Sequence, residues 1–226
     1  GWGVATDGSG NVTLTGRFSD TIDLGGGDVV SKGITDVFIT SFTSEGVHRW
    51  QRGLGGANYD VGEGVAIDGG GNVTVAGRFV GTANFGGGDV TSRGVNDIFV
   101  TSFTSEGVHR WQRALGGAST DIAHGVAADN RGNVTVTGSF SGTVDLGGGD
   151  ITASGGNDIF LTNFSATGVH RWQRTLGGSG SDTVYCVVAD HNDMIFTGLF
   201  SDTVDLGDGD VTSKGITDVF VVKLGP

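Results

Sequence analysis

The stretch that decides the fold is residues 132–140, which read GNVTVTGSF. Closely similar stretches, GNVTLTGRF and GNVTVAGRF, begin at Gly10 and Gly71, and a diverged fourth copy, DMIFTGLF, begins at Asp193. The first three copies are 61 residues apart and the fourth follows after 60. Such a period is typical of solenoids and propellers, whose units bury their apolar faces by stacking on copies of themselves. The sequence therefore predicts a repeat architecture.

Each copy contains four short segments with the composition of β-strands. In the third copy these segments are rich in β-branched and aromatic residues and are bounded by Gly, Asn, Asp or Ser; they are residues 125–129, 133–140, 158–164 and 169–176. Short turns rich in Gly, Asn, Asp and Ser join the first segment to the second and the third to the fourth, a composition that favours tight hairpins. Each copy is therefore expected to form a four-stranded antiparallel sheet.

The third strand of each copy is apolar on both faces. Phe160 and Phe164 alternate with Ile159 and Leu161, and no helical period occurs in the chain that could supply a covering helix. Neighbouring copies must therefore cover this strand on both sides. Small antiparallel sheets stacked face to face in a ring form a β-propeller, whereas a β-helix has shorter coils and parallel strands.

We therefore predict an all-β fold, a single β-propeller domain over residues 1–226. Its four blades are expected near residues 1–56, 57–117, 118–178 and 179–226. The fourth copy lacks the segment that corresponds to residues 169–176, so the last blade is expected to have three strands. A closed four-bladed ring is favoured over an open arc that pairs with a second chain and over an arc cut from a longer protein. An exposed third strand in the fourth blade would favour self-association.

Charge and composition exclude several classes of function. The chain has 25 acidic and 13 basic residues and a formal net charge of −12, which repels nucleic acid and anionic lipid. No apolar segment approaches the ~20 residues of a membrane span. The single cysteine, Cys186, stands where the other copies have glycine, and it is expected to be a small buried residue.

The third copy also resembles a known repeat family. Its segments GVAAD, GNVTVTGSFSGTVDLGGGDI and DIFLTNFSATG resemble the bacterial β-propeller repeat family first described as seven-bladed and, more loosely, the NHL repeats. The resemblance implies a propeller from a secreted or cell-surface bacterial protein, and it supplies no catalytic residues. This chain has four copies where seven were first described.

The sharpest repeated motif is GVHRWQR, which begins at Gly46, Gly107 and Gly168. The period of a strand predicts that its His, second Arg and Trp share one face. In one interpretation, charged residues protect an open sheet edge while Trp packs between blades. In the other, Trp stacks on a sugar ring and His and Arg bind its hydroxyls, once per blade. The candidate binding residues are His48, Trp50, Arg52, His109, Trp111, Arg113, His170, Trp172 and Arg174.

The connection between the second and third strands is rich in Gly and Asp. We expect an extra hairpin there; the alternative of a Ca²⁺ site is weak, because the alternating carboxylates and terminal Glu of an EF-hand are missing. The weak metal candidates are Asp205, Asp208 and Asp210. This face is expected to be acidic and to be the partner surface, together with the residues between blades, which are Asp60, Glu63, Asp121 and Asp182.

Carboxylates also open the third strand of every copy. We expect these side chains to accept backbone N–H groups of the preceding turn; they are Asp36, Asp97, Asp158 and Asp218. His124 and His191 do not repeat and are expected on the surface. No catalytic arrangement or cofactor motif is recognisable. The sequence thus predicts a non-enzymatic structural or binding scaffold without a cofactor, or alternatively a multivalent carbohydrate-binding propeller, with a protein or a glycan as its partner.

Overall fold

A computed structural model of the chain describes residues 1–190 and 193–225. His191 lies outside these residues. The described residues form strands and turns and contain no helix, which confirms the prediction of an all-β chain. None of them belongs to a helix long and apolar enough to cross a bilayer.

The first unit consists of six strands. They are β1 (Gly3–Thr6), β2 (Val12–Phe18), β3 (Thr21–Asp23), β4 (Asp28–Val30), β5 (Asp36–Phe42) and β6 (His48–Gly56). Strands β1, β2, β5 and β6 hydrogen-bond in this order as an antiparallel meander, and β3 and β4 form the predicted extra hairpin. The meander follows from the sequence because short turns join neighbouring antiparallel strands.

The second unit repeats this arrangement. Its strands are β7 (Val61–Ile67), β8 (Val73–Phe79), β9 (Thr82–Asn84), β10 (Asp89–Thr91), β11 (Asp97–Phe103) and β12 (His109–Gly117). Its extra hairpin, β9–β10, also extends the sheet of the first unit, because Gly55 and Gly56 of β6 pair with Asn84 and Ala83. Neighbouring units are therefore joined by backbone hydrogen bonds as well as by packing.

The third and fourth units complete the chain. The third contains β13 (Asp121–Ala128), β14 (Val134–Asp145), β15 (Asp150–Phe164) and β16 (His170–Gly178), and here the extra hairpin is continuous with β14 and β15. The fourth contains β17 (Thr183–Asp190), β18 (Asp193–Phe200), β19 (Thr203–Asp205), β20 (Asp210–Thr212) and β21 (Asp218–Leu224). The main sheet of the fourth unit has three strands, β17, β18 and β21.

Three hydrophobic cores lie between consecutive units. In the core between the second and third units, Ile98 and Val100 of β11 pack in one buried cluster with Val136, Phe140 and Phe160. Equivalent clusters join the first unit to the second and the third to the fourth. This confirms that neighbouring copies cover both apolar faces of the third strands in the second and third units, β11 and β15, and the apolar burial stabilises the stack.

The structure does not show the closed ring that the sequence favours. β1 packs on β7, β7 on β13 and β13 on β17, but among the described residues no comparably extensive contact joins the first unit to the fourth. Val219 and Val221 of β21 are consequently 70% and 72% exposed, although the equivalent residues of the other units are buried.

The prediction that Cys186 is buried is wrong for the same reason. The equivalent glycines of the second and third units face the next inner strand; a Cβ at Gly64, for example, would lie 3.2 Å from Val126 Cγ1. Cys186 lies on the last inner strand and is exposed.

Candidate functional site

The first strands of the four units, β1, β7, β13 and β17, line one groove of about 520 Å³. We call them the inner strands. Their sequences are nearly the same, with Gly-Val-Ala at residues 3–5, 64–66 and 125–127 and Cys-Val-Val at 186–188. The residue directly before these triplets differs in every copy; it is Trp2, Glu63, His124 or Tyr185. All four of these side chains line the groove, and we call them the variable row.

A β-bulge presents three members of the variable row. The pairing of β7 with β8 shifts between Gly62 and Gly64, so Glu63 is the extra residue of that strand. The same shift leaves His124 unpaired in β13 and Tyr185 unpaired in β17. An extra residue re-aims its own side chain and increases the local twist, which is why bulges often occur at functional sites.

Side chains on the second strands contact three members of the variable row. The Arg17 guanidinium lies 5.8 Å from the centre of the Trp2 ring, a cation–π contact. Arg78 Nη2 lies 3.6 Å from Glu63 Oε1, and His124 Nε2 lies 3.3 Å from Ser139 Oγ. Each of these partners is on the second strand of its own unit, so the row residue and its neighbour form one polar or aromatic pair in each of the first three units.

The variable row is also continuous from the third unit to the fourth. The rings of His124 and Tyr185 meet edge to face with centroids 5.8 Å apart. Burial, together with the charge of Arg78, lowers the pKa of His124 to about 4, so this imidazole is neutral at pH 7. Burial raises the pKa of Glu63, and the charges of Arg78 and Arg17 oppose that rise. The groove thus combines a carboxyl, a neutral imidazole and two aromatic rings, with the guanidinium groups of Arg17 and Arg78 beside them.

The repeated motifs of the sequence do not indicate this row. The sequence predicts His124 on the surface because it does not repeat, whereas the structure half-buries it in the groove. The signal was present in the alignment of the copies, as a variable position directly before an almost constant Gly-Val-Ala. A position that differs in every copy gives no signal among the repeated residues.

The residues of the GVHRWQR motif lie elsewhere, on the outer strands β6, β12 and β16. Trp50 is 7% exposed and packs on Phe103 of the second unit, with ring centroids 6.3 Å apart. Its Nε1 donates a hydrogen bond of 2.8 Å to the Ser105 carbonyl, and Arg52 donates one of 2.7 Å to the Gly107 carbonyl. Trp111 donates in the same way to Ala166, at 3.1 Å. These tryptophans attach each unit to the outer hairpin of the next one, residues 104–107 or 165–168.

The histidines of the motif do not share the face of the tryptophans. A bulge at Arg49 pairs His48 with Phe42 and Trp50 with Ser41, so the two side chains lie on opposite faces of the sheet. The prediction that they share one face is therefore wrong, because an extra residue shifts the period of two. The His48 ring contacts Phe42 with centroids 5.6 Å apart. Its Nε2 is buried and has no hydrogen-bond partner among the described residues, as is true of the equivalent His109 and His170. Burial lowers the pKa of His109.

The third tryptophan of the motif has a different environment. Trp172 is 38% exposed and, with Arg171 and Arg174, lines a second groove of about 490 Å³ that extends to Met194 and Leu224. Arg113, the second arginine of the preceding copy, donates a hydrogen bond of 2.7 Å to the Gln112 carbonyl. Arg171 donates a hydrogen bond of 3.4 Å to Asn163 Oδ1. Among the described residues, only the third copy therefore combines an accessible indole with a second arginine, Arg174, that makes no hydrogen bond.

The Gly-rich hairpins are closed by their own carboxylates. Asp205 Oδ1 accepts the N–H groups of Gly207, at 2.8 Å, and Gly209, at 3.2 Å. Asp208 and Asp210 lie in the same exposed hairpin. In the part of the chain that the structure describes, no group of three or more His, Cys, Asp or Glu side chains is placed to hold a metal ion.

The carboxylates between the units do not form the expected acidic surface. Asp60, Asp121 and Asp182 are fully buried, and Glu63 belongs to the groove. Asp60 Oδ2 accepts the Gly56 N–H at 2.7 Å, which fixes the junction between two units. Burial, together with the nearby charge of Asp36, raises the pKa of Asp60 to about 6. Because Asp60, Asp121 and Asp182 are buried, their carboxylates are not part of the surface that was predicted to bind a partner.

The predicted role of the strand-opening carboxylates is confirmed. Asp36 Oδ2 accepts the Lys32 N–H at 2.9 Å, and Asp97 Oδ2 accepts the Arg93 N–H at 2.8 Å. Asp158 and Asp218 accept the N–H groups of Ser154 and Lys214 in the same way. These contacts hold the turn before each third strand, as short side chains commonly do in turns.

Comparison with known proteins agrees with the repeat architecture. No family model matches the chain. An uncharacterized WD repeat-containing protein of Acanthamoeba polyphaga mimivirus is 24% identical to this chain, in an alignment that covers 76% of this chain and 15% of that protein. The chain thus spans about a seventh of the length of this relative. Together with the all-β structure, the similarity supports a repeat protein of the β-propeller type.

Proposed function

We propose that this chain is a non-enzymatic binding scaffold, that its four units are blades of a propeller, and that the inner-strand groove binds the partner. The variable row carries the proposal. Stacking of the units requires the constant residues of the inner strands, but it does not require a different side chain at one bulged position in each copy. A binding surface does require such differences, because they distinguish one partner from another.

A protein partner fits the chemistry of the groove best. Tryptophan, tyrosine and arginine contribute most of the energy at protein interfaces, and Trp2, Tyr185, Arg17 and Arg78 lie in or beside the row. The row spans four inner strands, which suits an extended segment that contacts several side chains at once. The secreted or cell-surface location and the bacterial repeat family that the sequence resembles are part of the same proposal.

The test is a selection of peptides on the immobilised chain. We expect selected peptides to bind at least tenfold more weakly to a variant that combines Glu63→Ala and His124→Ala. A matched control, Val30→Ala, changes an exposed apolar residue of β4 away from the groove and should leave binding unchanged. Selected peptides that bind both variants equally would show that the groove is not the binding surface.

Carbohydrate binding is the second candidate, and the accessible indole of Trp172 favours it at one place. Trp50 and Trp111 are buried against the next unit and offer no free ring face, so a sugar site repeated in every unit is not supported. A glycan array distinguishes the candidates. A sugar that is bound by the chain and lost in Trp172→Ala would support the lectin; no binding at millimolar sugar would exclude it.

A further inference from the structure

The outer strands show what each Trp-Arg pair binds. Trp50 and Arg52 of β6 donate hydrogen bonds to carbonyls of the outer hairpin at residues 104–107, and Gly107 lies flat on the indole. A Cβ on Gly107 would lie 2.6 Å from Trp50 Cδ2, so any larger residue would displace the indole. Gly168 lies on Trp111 with the same distance. Each of these tryptophans, with an arginine of its own strand, thus forms a binding seat for a hairpin that carries a glycine.

The third seat has no occupant within the described residues. The Trp172 indole N–H and the Arg174 guanidinium make no hydrogen bond there, although the equivalent groups of the first unit bind the next hairpin. Beside this seat lies the groove of about 490 Å³ that reaches Leu224 at the end of β21.

The edge of β21 next to this groove has no partner strand within the described residues. There β21 forms a strand pair with β18 alone, whereas β5, β11 and β15 each pair with a second strand as well. That second strand is the outer strand, which in the second and third units continues directly from the seated hairpin; Val100 of β11, for instance, pairs with Arg113 of β12. In these two units, one chain segment therefore both occupies a seat and pairs with a sheet edge.

We propose that the Trp172 seat and the edge of β21 form one binding site for an extended β-segment of the outer-strand type. The segment would begin with a glycine in the left-handed conformation and continue as a strand paired with β21. Its glycine would lie on the Trp172 ring, and the carbonyl of that glycine would accept a hydrogen bond from Arg174. Strand addition to an open sheet edge is an established mode of peptide binding, in which main-chain hydrogen bonds supply much of the affinity.

The hydrogen bonds made in the filled seats favour a peptide segment over a sugar as the ligand of the Trp172 seat. In the first filled seat the Trp50 indole and the Arg52 guanidinium donate hydrogen bonds to hairpin carbonyls, and in the second the Trp111 indole and the Arg110 guanidinium do so. The positive φ of the seated glycines, +75° at Gly107 and at Gly168, provides a sequence requirement that a peptide can be tested for.

The experiment uses a labelled peptide with the sequence of residues 45–56, EGVHRWQRGLGG, added to the full chain. We expect saturable binding by fluorescence anisotropy, together with a shift of the Trp172 indole resonance. A peptide with Gly46→Val should bind at least tenfold more weakly, because the added side chain meets the indole and opposes the positive φ. The same loss is expected for the native peptide on Trp172→Ala, but not on Glu63→Ala or Val30→Ala.

Three outcomes would overturn the proposal. One is no saturation up to about 1 mM peptide, which corresponds to less than about 4 kcal/mol of binding free energy. Another is equal affinity of the native and Gly46→Val peptides for the unaltered protein, a comparison that does not depend on the folding of a protein variant. The third is a chain that is dimeric by light scattering and stays dimeric when peptide is added, because a second copy would then occupy the edge.

Discussion

The contact of Gly107 with the Trp50 ring can be tested by its effect on the free energy of unfolding. The test variant is Gly107→Ala, and its control is Gly46→Ala. Both residues close equivalent turns: the N–H of Gly107 donates to the Thr104 carbonyl and that of Gly46 to the Thr43 carbonyl, each at 2.9 Å. Their φ angles are +75° and +80°. The difference is the neighbour, because Gly107 lies on Trp50 while nothing lies within 4 Å of a Cβ on Gly46.

The expected magnitudes follow from these contacts. An alanine in the left-handed conformation costs about 1–2 kcal/mol, and both variants should lose this amount. In Gly107→Ala the new Cβ would also lie 2.6, 2.8 and 2.9 Å from three indole atoms, so the ring must move. Overpacking of this kind costs about 1–3 kcal/mol, and movement of the ring also weakens the hydrogen bond from Trp50 to Ser105. We expect Gly107→Ala to lower the free energy of unfolding by at least about 1 kcal/mol more than Gly46→Ala does.

The assay is urea unfolding followed by both circular dichroism and tryptophan fluorescence, because repeat proteins can unfold unit by unit. Gly168→Ala serves as a second test, since a Cβ there would lie 2.6 Å from Trp111. If Gly107→Ala and Gly46→Ala destabilise the chain equally, within about 0.5 kcal/mol, the seating of each tryptophan on the next unit is refuted.

Three further predictions concern pH, the tryptophans and the cysteine. The raised pKa of Asp60, about 6 against 3.8, means that the folded state holds this proton more tightly; stability should fall as the pH rises from about 4 to 6, by up to about 3 kcal/mol for this group. Asp60→Asn should remove that part of the pH dependence, measured as unfolding midpoints at pH 4 and 8; an unchanged dependence would contradict the burial of this carboxyl. Trp111→Ala should cost about 3–5 kcal/mol and the partly exposed Trp172→Ala much less, and equal losses in chemical denaturation would be contrary evidence. Cys186 should react with a thiol reagent in the folded chain at nearly the rate of the unfolded chain, and strong protection would show that another surface covers β17.

The sequence was sufficient to predict the strands and their packing because these depend on local patterns. Alternating apolar residues such as Phe160 and Ile159 indicate a strand that is covered on both faces, and the turns between strands are short enough to require antiparallel pairs. Both predictions depend only on neighbouring residues and on the alternation of side chains along a strand, and the structure confirms both for β15.

The candidate site could not be predicted in this way, because bulges decide its geometry. The extra residue at Arg49 moves His48 away from the face of Trp50, and the extra residue at Glu63 turns that side chain into the groove. A pattern with a period of two has no signal for an inserted residue. Burial of Asp60 and exposure of Cys186 depend in turn on which unit lies next to them, which one copy of the repeat does not reveal.

The central claim is that each unit is a small sheet attached by its tryptophan to the next unit along the chain. The most direct measurement is the set of nuclear Overhauser effects of the Trp50 and Trp111 indole protons. The structure predicts effects from Trp50 to Gly107 and from Trp111 to Gly168, with both indole N–H protons slow to exchange. Effects from Trp50 to Gly46 of its own unit, or rapidly exchanging indoles, would contradict the stacked arrangement.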